Sequence, residues 1–183
     1  MTIASKLAAT AVVLTVATAA FAENSVVGGA PMFESKNIVE NAVNSADHTT
    51  LVAAVRAAGL VETLQGPGPF TVFAPVNDAF AALPTGTVDT LLKPENKDML
   101  TKVLTAQVVA GDWSAAEIAC QARASSDGFY HFNAVSGDAL SAQVRGNNVY
   151  IYDENGNAGR VTIADVDQSN GVIHVVDAVL VPK

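Results

Sequence analysis

Cysteine is all but missing from this chain, with Cys120 alone in 183 residues. That excludes a disulfide framework within the chain and a cysteine-rich zinc module. Cations are scarce too: ten Lys and Arg face eighteen Asp and Glu, a formal net charge of -8. Binders of a phosphate backbone present clustered cations, so no nucleic-acid partner is expected. Only 15% of residues are charged while 50% are hydrophobic, which supplies a core and excludes a wholly disordered chain. Catalytic spacing is missing as well. His48, His131 and His174 are far apart, with no His-Glu-x-x-His pattern for a metal. Neither a Gly-x-Ser-x-Gly elbow nor a Gly-rich phosphate loop occurs. No cofactor, no metal and no enzymatic activity are expected.

Long apolar runs are confined to the start of the chain. Lys6 is followed by an uncharged apolar stretch over residues 7–20, and Ala20-Phe21-Ala22 has the small-x-small pattern of a signal-peptidase site. The stretch falls short of the roughly 20 residues that span a bilayer. Residues 1–22 therefore read as a secretory signal peptide, of a style that suggests a bacterial periplasm or secreted fraction. Its removal explains much of the positive mean hydropathy of +0.30. Cleavage takes away one cation and no acid, leaving an acidic exported chain with no later membrane span. In that oxidising compartment Cys120, between Ala119 and Gln121, is expected to be a buried small hydrophobe rather than half of an intermolecular pair.

Residues 23–36 form a lead with Gly28-Gly29 and Pro31, expected to be partly mobile. Apolar residues then recur at helical spacing over 37–46 and 50–58, the second helix ending at Gly59. Residues 70–74 read as a short strand stopped by Pro75. Short helices follow over 77–82 and 87–92, a long one over 94–108, and another over 114–119 capped by Ser114. From Phe129 onward the period is close to two. Strands are expected over 129–135, 139–145, 147–153, 160–166 and 172–181, paired antiparallel through short turns. Helices segregated ahead of a meander make an α+β fold with one core.

Three local patterns have chemical readings. Asp165 and Asp167 alternate onto one strand face, as an acid/base pair would, or as a solvated face does. Cys120 is a nucleophile only with a distant His that nothing local supplies. Asp153-Glu154-Asn155-Gly156-Asn157 begins like a calcium loop, but Ala158 and Ala164 stand at its glycine and glutamate places. Asn-Gly between strands makes it a hairpin turn.

Two longer segments are more specific. One is Phe70-Thr71-Val72-Phe73-Ala74-Pro75-Val76-Asn77-Asp78-Ala79-Phe80. The other is Ser169-Asn170-Gly171-Val172-Ile173-His174-Val175-Val176-Asp177-Ala178-Val179-Leu180-Val181-Pro182. In sequence, order and separation they resemble the two signature boxes of the fasciclin domain, a family of extracellular adhesion modules. The signature positions are Thr71, Phe73, Pro75, Asn77, Phe80, Asn170, Gly171, His174, Asp177 and Pro182. The resemblance spans about 37–182, so residues 37–183 are taken as one fasciclin domain. It implies helices packed on a wedge of antiparallel strands. Alternation places His174 among apolar residues, as a hydrogen-bonded core residue with Asn77, Asp78 or Asn170 as candidate partners. Asn77 is placed to cap the helix that carries Phe80.

The resemblance also implies adhesion or matrix contact instead of catalysis. Some animal members use an Asp-Ile pair ahead of the second box, and Asp165-Val166 stands there as the candidate adhesion contact. One departure is clear: where members usually have Tyr-His after the long helix, this chain has Ala106-Gln107, so roles tied to that pair do not carry over. The expected function is a secreted or periplasmic, monomeric module binding a cell-surface or matrix protein or polysaccharide. The alternative is a carrier of a small apolar ligand, a lipid or pigment, supported by the 94–108 helix and by Phe129, Tyr130 and Phe132.

Overall fold

The computed structural model describes residues 24–183. The expected signal peptide, residues 1–22, lies outside them. In chain order come β1 (Val26–Val27), β2 (Ala30–Pro31), α1 (Ile38–Ala42), α2 (Thr49–Ala58), α3 (Val61–Gln65) and β3 (Phe70–Pro75). Then follow α4 (Asn77–Ala81), α5 (Thr87–Leu91), α6 (Lys97–Thr105), β4 (Val108–Ala110) and α7 (Ala115–Ala124). The last third is β5 (Phe129–Asn133), β6 (Ala139–Arg145), β7 (Asn148–Tyr152), β8 (Ala158–Gln168) and β9 (Gly171–Val176).

Local chemistry sets the helix boundaries. Asn37 with Glu40 at α1, and Ser114 with Glu117 at α7, exchange side-chain and backbone hydrogen bonds as reciprocal capping boxes. Gly59 ends α2 at φ 75, a left-handed conformation that glycine adopts without strain. The long helix is shorter than the 94–108 spacing predicts. It stops at Thr105, and Val108–Ala110 turns into the sheet as β4. The same apolar residues that extend a helical face also suit a buried strand, and pairing with β3 decides between them.

The main sheet has the order β4-β3-β9-β8-β7-β6-β5. The meander β5 to β9 is antiparallel, as expected. The β3–β9 pair is parallel, from Phe70 opposite Gly171 to Pro75 opposite Val176, which corrects the all-antiparallel expectation. Long-range pairing permits what short turns do not.

Nor is there a single core. Val72, Ala74, Ile173 and Val175 face a large cluster beneath α1 to α6. Phe73 and Val176 face a smaller one beneath α7 with Leu140, Ala142 and Ile151. Both central strands are thus covered on both faces, as parallel strands in a sheet usually are. The lead packs against this body: β1 and β2 pair, and Val27 and Met32 sit in the large core at 2% and 3% exposure.

Asn170 and Gly171 join the two central strands to the helices. The Asn170 carboxamide accepts from the Ile38 amide at 3.1 Å and donates to the carbonyls of Leu64 and Gly66 at 2.8 and 3.1 Å. Gly171, at φ 148, approaches the Phe70 backbone so closely that a Cβ would overlap its carbonyl oxygen. Gly171→Ala is therefore expected to destabilise by about 4 kcal/mol or more. A thermal melt within a few degrees of the parent would contradict this.

Candidate functional site

His174 is the centre of a polar network built into the middle of the sheet. Its side chain is fully buried and lies 5.7 Å from the Phe73 ring. The Asp165 N–H donates to its Nδ1 at 3.2 Å, and its Nε2 donates to the Trp113 carbonyl at 2.7 Å. One ring nitrogen accepts and the other donates, which is the pattern of a neutral imidazole. Burial pushes its pKa below the ordinary histidine value; the Trp113 carbonyl, then Asp165, Asp112 and Asp167, pull back by less. The partners expected from the sequence, Asn77, Asp78 and Asn170, are not the ones it meets. Its real partners are backbone groups, nine and 61 residues away along the chain, which no side-chain pattern announces.

Thr71, in the adjacent buried strand, holds the same loop. Its hydroxyl donates to the Gly111 carbonyl at 2.8 Å and accepts from the Trp113 amide at 2.9 Å. Asn77 does not cap its own helix, whose cap position is Val76. It caps α2 instead, accepting from the Thr50 amide at 3.0 Å and donating to the Ala46 carbonyl at 2.8 Å. Pro75 and Phe80 are buried. Asp177 accepts from the Arg160 amide at 2.8 Å and pairs with its guanidinium at 3.3 Å. Pro182 lies half-buried at the chain end.

The two candidate contact residues separate. Val166 is 1% exposed, opposite Ile173 in the large core, so its side chain offers a partner nothing; this corrects its placement as a contact. Asp165 is exposed and sits at φ 54, in the register break of β8 between Ile163 and Val166. The break ends the strict alternation that pairs Asp165 with Asp167 on paper. Its carboxylate accepts from the Ala115 amide at 2.7 Å, at the start of α7, where a helix N-terminus favours negative charge. Asp165 therefore ties α7 to β8.

Cys120 differs from expectation, whereas the segment from Asp153 forms the expected hairpin turn between β7 and β8. Cys120 is exposed, because the helical turn that buries Ile118 and Ala119 carries the next residue outward. Asp153 is 7% exposed. One of its carboxylate oxygens takes the amides of Asn155 and Asn157, and the other takes Asn157 Nδ2 and the Val181 amide, all at 2.8–2.9 Å. The carboxylate builds the turn and fastens the C-terminal segment to it.

The outer face of the meander was not singled out by the sequence. Phe129, Gln143 and Tyr150 are cross-strand neighbours on β5, β6 and β7. Tyr152 meets Phe129 edge-on at 5.6 Å, and the Arg145 guanidinium lies over Tyr150 and Tyr152 at 5.7 and 5.5 Å. Arg145 also donates to Gln143 at 2.7 Å. Among the described residues it pairs with no carboxylate. The opposite face, with Tyr130, Phe132 and Ile151, is the one that packs beneath α7. Alternation in the strands was the available signal; which face α7 covers was not.

A mixed fold with helices on both faces of a central parallel pair, and a meander completing the sheet, is the fold of the fasciclin domain. The fasciclin domain model matches residues 46–182, and the chain belongs to that family. It is 48% identical over 160 residues to the protein sll1483 of Synechocystis, covering 87% of this chain and 81% of that one. It is 34% identical over 146 residues to the immunogenic protein MPB70 of Mycobacterium bovis, covering 77% and 66%. The solved structure of a domain pair from the insect cell adhesion molecule fasciclin I superposes with a TM-score of 0.69 at 14% identity, covering 79% of this chain and half of the pair. Among the described residues, no helix is long and apolar enough to cross a membrane.

Two outcomes follow for this network. His48, also buried, is held by Ser45 at 2.9 Å, and burial lowers its pKa too. Both histidines take up a proton more readily unfolded than folded, so stability is full above the ordinary value near 6.5 and falls as pH drops below it. Asp167 is shifted upward by burial and by Glu34, Asp112 and Asp165, and its opposing effect belongs to the lower carboxylate range. The thermal midpoint is expected to fall between about pH 7 and 5; a flat profile there would contradict neutral buried histidines. Asp165→Ala is expected to cost about 1 kcal/mol in a denaturant titration, and an unchanged midpoint would free Asp165 from its anchoring role.

Proposed function

We propose that this chain is an exported, non-catalytic fasciclin module that makes contacts at a cell surface or in an extracellular matrix, using the outer face of β5, β6 and β7. Residues 1–22 act as the signal peptide in this reading, and the processed protein works as a monomer. The observation behind it is the patch itself: half-exposed Phe129, Tyr150 and Tyr152 around Arg145, a guanidinium without a carboxylate partner among the described residues. Aromatic residues and arginine dominate the binding energy of interfaces. Arginine, the charge at the centre of this patch, is the charged residue that interfaces retain. Rings stacked by their neighbours lose little freedom on binding. The adhesion role named for the insect structure agrees with a partner that is a surface or matrix protein or polysaccharide.

The test is adsorption of the processed protein to host-cell surface and matrix preparations. The double substitution Tyr150→Ser, Tyr152→Ser is expected to weaken binding about tenfold or more, ~1.4 kcal/mol, while the protein stays folded with a modestly lower thermal midpoint. Binding equal to the parent would remove this face from the proposal.

A second reading, carriage of a small apolar ligand, has its own support. A cavity of about 620 Å³ opens between α4, α5, α6 and the C-terminal segment, lined by Phe80, Leu83, Val88, Leu92, Val103 and Val179 among others. That is within the usual 300–1,000 Å³ of ligand sites. Helix α6 does line it. The aromatic cluster does not, because Tyr130 and Phe132 pack on each other 5.3 Å apart beside the smaller core. Native mass spectrometry of protein purified from its own host is expected to show an added mass if this reading holds. A clean apo mass would end it.

A further inference from the structure

Gln107 sits where α6 gives way to β4. Its backbone is fully engaged: the carbonyl accepts from the Phe73 amide at 2.8 Å, and the N–H donates to the Leu104 carbonyl at 3.2 Å. Its side chain is another matter. The residue is 1% exposed, yet neither the Oε1 nor the Nε2 of its carboxamide meets a hydrogen-bond partner among the described residues. Among the described residues His48 Nε2 and Asp138 Oδ2 are also buried without a partner, but Gln107 lacks one at both of its side-chain atoms, and other buried polar groups are matched. Asn41 bonds Phe33 and Gln168, Thr71 bonds Gly111 and Trp113, and His174 bonds Asp165 and Trp113. Leaving a buried amide unmatched opposes folding.

Gln107 also contributes to the wall of a cavity of about 70 Å³, distinct from the large one above. Leu51, Val55, Leu64, Val72 and Leu104 make up much of that wall, and exposed Arg56 and Val135 stand at its rim. Walls that are apolar apart from Thr63, Thr105 and Arg56, around one unmatched carboxamide, define a ligand chemistry. An ion is excluded from such walls by the cost of its desolvation. A neutral head that both donates and accepts, a hydroxyl or a primary amide, satisfies both atoms of Gln107 together. An apolar cavity of ~150 Å³ holds a benzene molecule, so this one takes about three or four non-hydrogen atoms, with any longer tail leaving past Val135.

We infer that the Gln107 cavity is a binding site for a small neutral molecule with a donor–acceptor head on a short alkyl body, a short-chain alcohol or carboxamide. The site rests on neither functional reading above. It uses Gln107 as the polar recognition group and the α2–α3–β3 side chains as the apolar seat.

Methyl-resolved NMR titration of the full protein with acetamide and with ethanol tests it, with xenon as the probe that lacks a head. Saturable shifts are expected at the methyls of Leu51, Val55, Leu64, Val72 and Leu104 for the two headed probes, and weaker ones for xenon. In Gln107→Leu, and in Gln107→Met as the unbranched control, affinity for the headed probes is expected to fall about tenfold while xenon binding is kept or improved. The same substitutions are expected to raise the thermal midpoint by about 2–4 °C, since an unmatched amide is removed. Three results would overturn the inference. One is xenon preferred over both headed probes in the parent. Another is the absence of shifts with any probe, which leaves water as the sole occupant. The last is a lowered midpoint in both variants, which would mean that the protein itself satisfies the amide.

Discussion

The parallel pairing of β3 with β9 is the constraint on which the rest of the structure depends. It brings Phe70–Pro75 against Gly171–Val176, so the chain closes on its own middle only after everything between has been laid down. Contacts of such wide sequence separation are entropically costly to form. Both strands are covered on both faces, which forces every polar group they contain to find a partner inside. Thr71 and His174 do so through one loop, at Gly111 and Trp113. That loop leads directly into α7, and Asp165 holds the start of α7 from the other side. Among the signature residues Thr71 and His174 are thus the side chains that make a doubly buried parallel pair tolerable, while Asn77 caps α2 and Asp177 holds Arg160.

The family resemblance and the α+β order were legible because they live in local chemistry. Proline after a short β-branched run, Asn-Gly before another, and period-two strands over the last third each act within a few residues. What the sequence concealed depends on partners. Periodicity states that a strand is half-buried or buried, not which strand lies beside it, so the parallel pair and the two cores stayed hidden. Val108–Ala110 looks equally good as the end of a helix. His174 was correctly expected to be hydrogen-bonded in the core, but its partners are backbone atoms contributed by Trp113 and Asp165. Val166 was misplaced for a related reason: the break in β8 that bends the strand also sets the direction of that side chain.

The division of roles across the sheet follows from the same geometry. Helices α1 to α6 cover one face of the central strands and α7 covers the other. The meander extends beyond the central pair, and α7 shields only its inner side. The outer side is left with alternate residues that must face water, and here several of them are aromatic. Large rings on an uncovered strand face are stabilised by one another and by Arg145. A scaffold closed at its centre and open along one sheet face combines a rigid body with a flat, preorganised surface, which is what reversible contact at a surface requires.

Gln107 belongs to the same logic from the opposite direction. It occupies the one place where the chain departs from the family pattern singled out in the sequence, Ala106-Gln107 before Val108. It is also where a buried carboxamide goes unmatched among the described residues. A fold that supplies partners for Asn41, Thr71 and His174 has the means to satisfy an amide, or to replace it with leucine. His48 and Asp138 each leave one buried atom unmatched, whereas Gln107 leaves both of its polar atoms so, and a local rule broken that fully marks a place that serves something other than stability. The adjoining cavity supplies the reason: the hydrogen bonds that Gln107 lacks within the chain are available to a molecule small enough to enter beside it.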